Sequence, residues 1–135
     1  MAESAALIGA SEVALRTWLA RNISTDYNGA KTGSRLYLSG RDCFYFLLVR
    51  HLTHFGVPVR TAMYAAAEHV DATEDELPSE DFLVVRTDGA TTTFSLTTRP
   101  EFGETTLILP LRTLAEDLIA AATVVYALNE AGEVV

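Results

Sequence analysis

A chain of 135 residues, 49% of them hydrophobic, is long enough to bury one core and too short for two large ones. No apolar run approaches the roughly 20 residues of a membrane span, and Met1 to Ala10 lacks the basic and apolar stretches of a signal peptide, so a cytoplasmic protein is expected. The net charge of -8 is unevenly placed: residues 1–70 hold seven basic residues against five acids, residues 71–135 three against thirteen, so a phosphate-binding face, if present, belongs to the first half.

Residues Glu3 to Ile8 are helix formers that run into Gly9, a residue able to take the left-handed conformation that ends a helix. Ser11 then caps a second helix, Glu12 to about Asn22, in which Val13 or Ala14, Leu15, Trp18 and Leu19 recur at helical spacing. Ile23 to Leu38 is rich in turn formers and finishes on an alternating strand pattern, so it reads as a β-hairpin whose tip holds Gly29, Lys31 and Gly33. Ser39 with Asp42 forms a capping box for a third helix, the apolar stretch Cys43 to Phe55, which stops at Gly56. Pro58 opens a fourth helix that ends near Val70.

The acidic stretch 71–81 reads as a linker between a first unit, 1–70, and a small acidic lobe, 82–135. In that lobe Phe82 to Arg86 and Thr91 to Thr98 are strands joined through the turn pair Asp88-Gly89, and Thr105 to Leu109 adds a third. Leu111 to Leu128 is an amphipathic helix with Leu114, Leu118, Ala121, Val125 and Leu128 along one stripe. The expected class is α+β: four helices with a β-hairpin, then a small sheet and one amphipathic helix.

Catalytic chemistry has little to stand on. Cys43 is alone and has no CxxC partner. His51 and His54 share a helix face, but no carboxylate or cysteine stands at a companion spacing, so neither metal nor cofactor is expected. No GxSxG, Walker loop, HExxH or paired-carboxylate pattern occurs, and no enzyme is expected. His69 reads as a cation at the carboxyl end of the fourth helix.

Two segments in order resemble the MerR family of DNA-binding regulators. The stretch Leu7-Ile8-Gly9-Ala10-Ser11-Glu12-Val13-Ala14-Leu15-Arg16-Thr17-Trp18 looks like that family's helix-turn-helix. Arg35-Leu36-Tyr37-Leu38-Ser39, Asp42, Leu48 to Leu52 and Phe55-Gly56-Val57-Pro58 look like its wing strand and following helix pair. Where typical relatives continue into a long helix that pairs as a coiled coil, this chain has the short acidic β-plus-helix segment instead. Activation by ligand-controlled DNA untwisting is therefore not carried over.

The resemblance implies a winged helix-turn-helix whose second helix enters the major groove. Ser11, Glu12 and Thr17 are then the base readers, Arg16 and Arg21 grip the backbone or a guanine, and Trp18 is shared between core and phosphate contact. Lys31, Ser34, Arg35 and Tyr37, with Tyr27, lay the wing on an adjacent minor groove or backbone, or the tyrosines simply cover the core. Apart from the resemblance, Arg41 and Arg60 stand at helix starts, where a cation is poorly placed for the dipole, so they read as set for an outside anion or as surface charges for solubility. The Leu114, Leu118, Ala121, Val125 and Leu128 stripe pairs two copies across a two-fold axis, covers its own hairpin, or meets another protein.

Three functions follow as expectations. The first is a dimeric, nucleoid-associated regulator of transcription acting on double-stranded DNA, a repressor rather than an activator. The second is an excisionase-like or architectural protein of a recombination complex. The third is a protein-interaction module that has lost DNA binding.

Overall fold

Five helices and two small antiparallel sheets appear in the computed structural model, which describes residues 2–23, 26–32, 35–71, 81–88 and 90–133. Helix α1 (Ala2–Ile8) ends where Gly9 adopts φ +78° and its N–H donates to Ala5 O at 2.9 Å. Helix α2 (Glu12–Ala20) starts at Ser11, whose hydroxyl accepts from Ala14 N at 3.0 Å. Leu15 is fully buried and Trp18 and Leu19 pack against the core, while Ala14, not Val13, turns inward to complete that face.

The first sheet is the hairpin of β1 (Ala30–Thr32) and β2 (Arg35–Tyr37), with Thr32 opposite Arg35. Residues 33 and 34, with the expected tip residue Gly33, lie outside the described residues. Gly29, expected at the tip, stands at the base. It takes φ +74°, and a Cβ there would meet Tyr37 O at 2.7 Å and Leu38 Cδ2 at 2.8 Å, so only glycine fits.

Helix α3 (Gly40–His54) opens with the expected capping box: Ser39 Oγ accepts from Asp42 N at 3.1 Å and Asp42 Oδ2 accepts from Ser39 N at 2.9 Å. Every residue from Asp42 to Val49 is buried, as is Leu52. A helix covered all round must be central, and α3 is packed by α1, by α4 (Val59–Asp71), and by α5 (Leu111–Glu133). The expected linker leaves only Asp71, in α4, and Asp81 within the described residues.

The second sheet has the order β4-β3-β5, formed by β3 (Phe82–Thr87), β4 (Thr92–Thr97) and β5 (Thr106–Pro110). Register pairs Leu83 with Leu96 and Leu109, and Val85 with Phe94 and Leu107, which gathers the apolar side chains on one face. As the central strand, β3 buries Leu83, Val84 and Val85 consecutively. Leu83, Val85, Leu109, Leu111, Ala115 and Leu118 join Ile8, Leu15, Phe46 and Met63 in one continuous core. The acidic half is therefore packed onto the first half.

Two glycines separate backbone necessity from tolerance. Gly29→Ala forces an L-residue into the left-handed region against a backbone oxygen and should cost about 2 kcal/mol. Gly40→Ala meets open space at the start of a helix and should gain about 0.5 kcal/mol. Urea-denaturation midpoints of the two variants should move in opposite directions.

Candidate nucleic-acid interface

Because Leu15, Trp18 and Leu19 face inward, the opposite side of α2 displays Glu12, Val13, Arg16, Thr17, Ala20 and Arg21, all exposed. Arg16 Nη2 approaches Glu12 Oε1 at 3.5 Å, an exposed pair one turn apart and weak enough to release its cation to another anion. Thr17 Oγ1 donates to Val13 O at 2.9 Å. Ser11 is exposed, but its hydroxyl is engaged in capping. Trp18 is half-buried and stacks on Phe46 with centroids 6.5 Å apart and planes 6° from parallel, so it docks α2 on α3.

The turn before α2 is held from the centre of the fold. Arg50, the cation inside the apolar stretch of α3, donates from Nε to Gly9 O at 2.8 Å. Its guanidinium lies where a side chain on Gly9 would project, 3.1 Å from an added Cβ. Sequence reasoning missed this role. The signal was an arginine directly after the unbroken apolar run Cys43 to Val49.

The approach to the first hairpin is held by a polar network around Tyr27. Asn22, just beyond α2, donates from Nδ2 to Tyr27 O at 3.3 Å and to Asn28 Oδ1 at 2.9 Å, and accepts from Tyr45 Oη at 2.6 Å. The Tyr27 and Tyr45 rings stack at 4.7 Å. Tyr27 Oη donates to Asp71 Oδ1, and Arg41 Nη2 reaches Val70 O at 3.3 Å and Tyr27 Oη at 3.5 Å.

Two expectations are corrected here. Tyr27 is buried, because stacking and Asp71 draw its ring beneath the hairpin, so it offers nothing to a wing contact. Arg41 turns inward to the last carbonyls of α4, where the helix dipole favours a cation, and not outward to an anion. The open cavity beside them is lined by Asp26, Tyr27, Ser39, Arg41, Asp42 and Asp71, three carboxylates to one cation, which is the wrong sign for phosphate.

Lys31 is exposed on β1 and Tyr37 on β2, 53% accessible. Arg35 lies in β2 opposite Thr32, and Ser34 lies outside the described residues. Arg21 follows α2 as its exposed C-cap residue, and Arg60 is exposed in the first turn of α4. The structure thus places Ser11, Glu12, Arg16, Thr17 and Arg21 on one accessible element, with Lys31 and Tyr37 on the hairpin that Asn22 ties to its end.

The α5 stripe divides. Leu118 is 7% exposed in the chain's own core and Leu114 packs against it, because the first turns of α5 seat against α1, α3 and β5. That burial removes Leu118 from any contact with a second copy. Ala121 is exposed; the side chains of Val125 and Leu128 lie outside the described residues. Among the described side chains of α5, the large apolar residues that are exposed are Ile119 and Val124, which the stripe did not include.

Among the described residues no group of three or more His, Cys, Asp or Glu is placed to hold a metal ion, and no helix is long and apolar enough to cross a membrane. Cys43 is buried, and burial pushes its thiol pKa up. Comparison with known proteins returned no matching family model, no matching curated protein and no matching solved structure.

Burial sets the pH limits of this arrangement. It raises the pKa of Tyr27, with the Asp71 contact adding to the shift, and that of Tyr45. It lowers those of His51 and His69, so His69 is held toward its neutral form and not as the cation expected at the end of α4. The fold prefers protonated tyrosines, whose contribution is complete below the ordinary tyrosine value of 10.0 and is lost as pH rises beyond it. The histidines are preferred neutral, so theirs is complete above the ordinary 6.5 and is lost as pH falls. Urea midpoints should therefore form a plateau between these values, and Tyr27→Phe with Tyr45→Phe should flatten the alkaline limb.

Proposed function

We propose that this chain is a sequence-specific, duplex-DNA-binding regulator of transcription, a MerR-like winged helix-turn-helix that works as a dimeric repressor. The observation that carries the reading is α2. It is a nine-residue helix that buries Leu15 and stacks Trp18 on Phe46 of α3, while its opposite face, with Glu12, Arg16 and Thr17, and Arg21 just beyond its end, is exposed. A helix set proud of the core in this way fits the major groove, and the Lys31 hairpin that follows it supplies a cation for the flanking backbone. The acidic balance of the second half disfavours non-specific phosphate binding, which leaves affinity to a small basic face and to base contacts.

Dimerisation is assigned to the outward face of α5. Among the described side chains of that helix, residues 111–124, Leu111, Ala115 and Leu118 are buried. Ile119 and Val124 are exposed beyond them, and no charged residue occurs from Ile119 to Asn129. A second copy that covers this uncharged length gives two recognition helices for a two-fold site.

The direct test is selection of duplexes from a random pool at two salt concentrations, with the Arg16→Ala, Arg35→Ala double variant alongside. The wild type should enrich a two-fold symmetric site. The double variant should lose it, and the slope of log K against log salt should become shallower by roughly 4, two cations from each of two copies. Failure of the wild type to enrich any sequence overturns the reading.

For the dimer, Ile119→Glu with Val124→Glu should weaken self-association on the order of a hundredfold in sedimentation equilibrium, without loss of helix content. Leu118→Glu should unfold the chain.

A further inference from the structure

The outward face of α2 contains one residue that its core packing does not explain. Val13 is 75% exposed in the first turn, among polar neighbours whose hydroxyls bond to the helix backbone and whose ion pair is weak and exposed. Ser11 Oγ accepts from Ala14 N at 3.0 Å, Thr17 Oγ1 donates to Val13 O at 2.9 Å, and Glu12 faces Arg16 at 3.5 Å. What projects among them is a β-branched apolar side chain that a helix holds in essentially one rotamer, so its methyl groups are fixed by the backbone before any contact forms.

We propose that Val13 is a specificity-determining residue that reads the C5-methyl group of a thymine in the major groove. This rests on the DNA-binding reading above. In that groove the thymine methyl is the apolar feature of the base edges, and it is matched by an apolar side chain and not by a hydrogen-bonding one. A pre-ordered valine loses little conformational entropy when it meets that methyl, and both groups leave water. Glu12 and Arg16 on either side can then take the polar edges of neighbouring base pairs, with Val13 fixing one thymine in each half-site.

The test uses the full-length chain and the duplex enriched by the wild type. Each thymine is replaced in turn by uracil, which lacks only the methyl group, and binding is measured by fluorescence anisotropy. At one position per half-site, uracil should weaken the wild type by about fourfold, the worth of one buried methyl group. Val13→Ala should bind the thymine and uracil duplexes equally, and Val13→Ile should keep the preference. Val13 is exposed and alanine is the better helix former, so the alanine variant should keep its fold, which circular dichroism checks.

A site with no uracil-sensitive position, or a Val13→Ala variant that keeps the full thymine preference, overturns the inference and leaves the DNA reading intact. Absence of any enriched duplex overturns the DNA reading and this inference with it, and is seen before uracil is introduced.

Discussion

Eight consecutive buried residues in α3, from Asp42 to Val49, impose the constraint from which the rest of the structure follows. A helix with one apolar stripe needs one neighbour; a helix buried on every side needs a shell. Here the shell is α1, α4, α5 and the inner face of α2, joined by the hairpin base at Tyr27 and the face of β3 that carries Leu83 and Val85. No single segment of this chain is large enough to supply that cover. The acidic second half is therefore part of the folding unit, whatever else it binds.

Central position also makes α3 the source of the polar links that orient the outer elements. Tyr45 Oη reaches Asn22 at the end of α2, Arg50 Nε reaches Gly9 at its beginning, and Phe46 meets Trp18 between them. The helix that carries the candidate base contacts thus meets α3 through Trp18, and the turns before and after it are held by two further residues of α3. The buried Tyr45 hydroxyl is costly to leave without a partner, so its link to Asn22 penalises other placements of the chain at the end of α2. Such fixing matters for groove recognition, where a side chain must arrive at a base edge within a few tenths of an ångström.

Charge distribution complements that rigidity. The inward turn of Arg41 leaves the cavity beside Tyr27 dominated by carboxylates, and the exposed cations on or next to α2 and the hairpin are few. A protein so arranged gains little from long-range attraction to a polyanion. For the DNA-binding reading, contacts at short range, including an apolar one at Val13, then carry a larger part of the discrimination.

What the sequence determined by itself was whatever local chemistry decides. Ser11 and Ser39 cap their helices as expected, Gly9 and Gly56 adopt positive φ where their helices end, and the β-branched runs after Phe82 formed strands within a residue or two of their expected limits. The outward residues of α2 were legible too, because the 3.6-residue period separates Leu15, Trp18 and Leu19 from Arg16 and Thr17. The tertiary structure decided the rest. Whether Tyr27 lies on the wing or beneath it depends on Asp71, 44 residues away; where Arg41 points depends on Val70, and what Arg50 holds depends on Gly9. The stripe on α5 has the same origin, since a periodic apolar face declares that something covers it and not what does. Leu118 found its cover inside the chain, while Ile119 and Val124 stayed exposed, because that choice is made by the shape of the core presented to the helix and not by the order of residues within it.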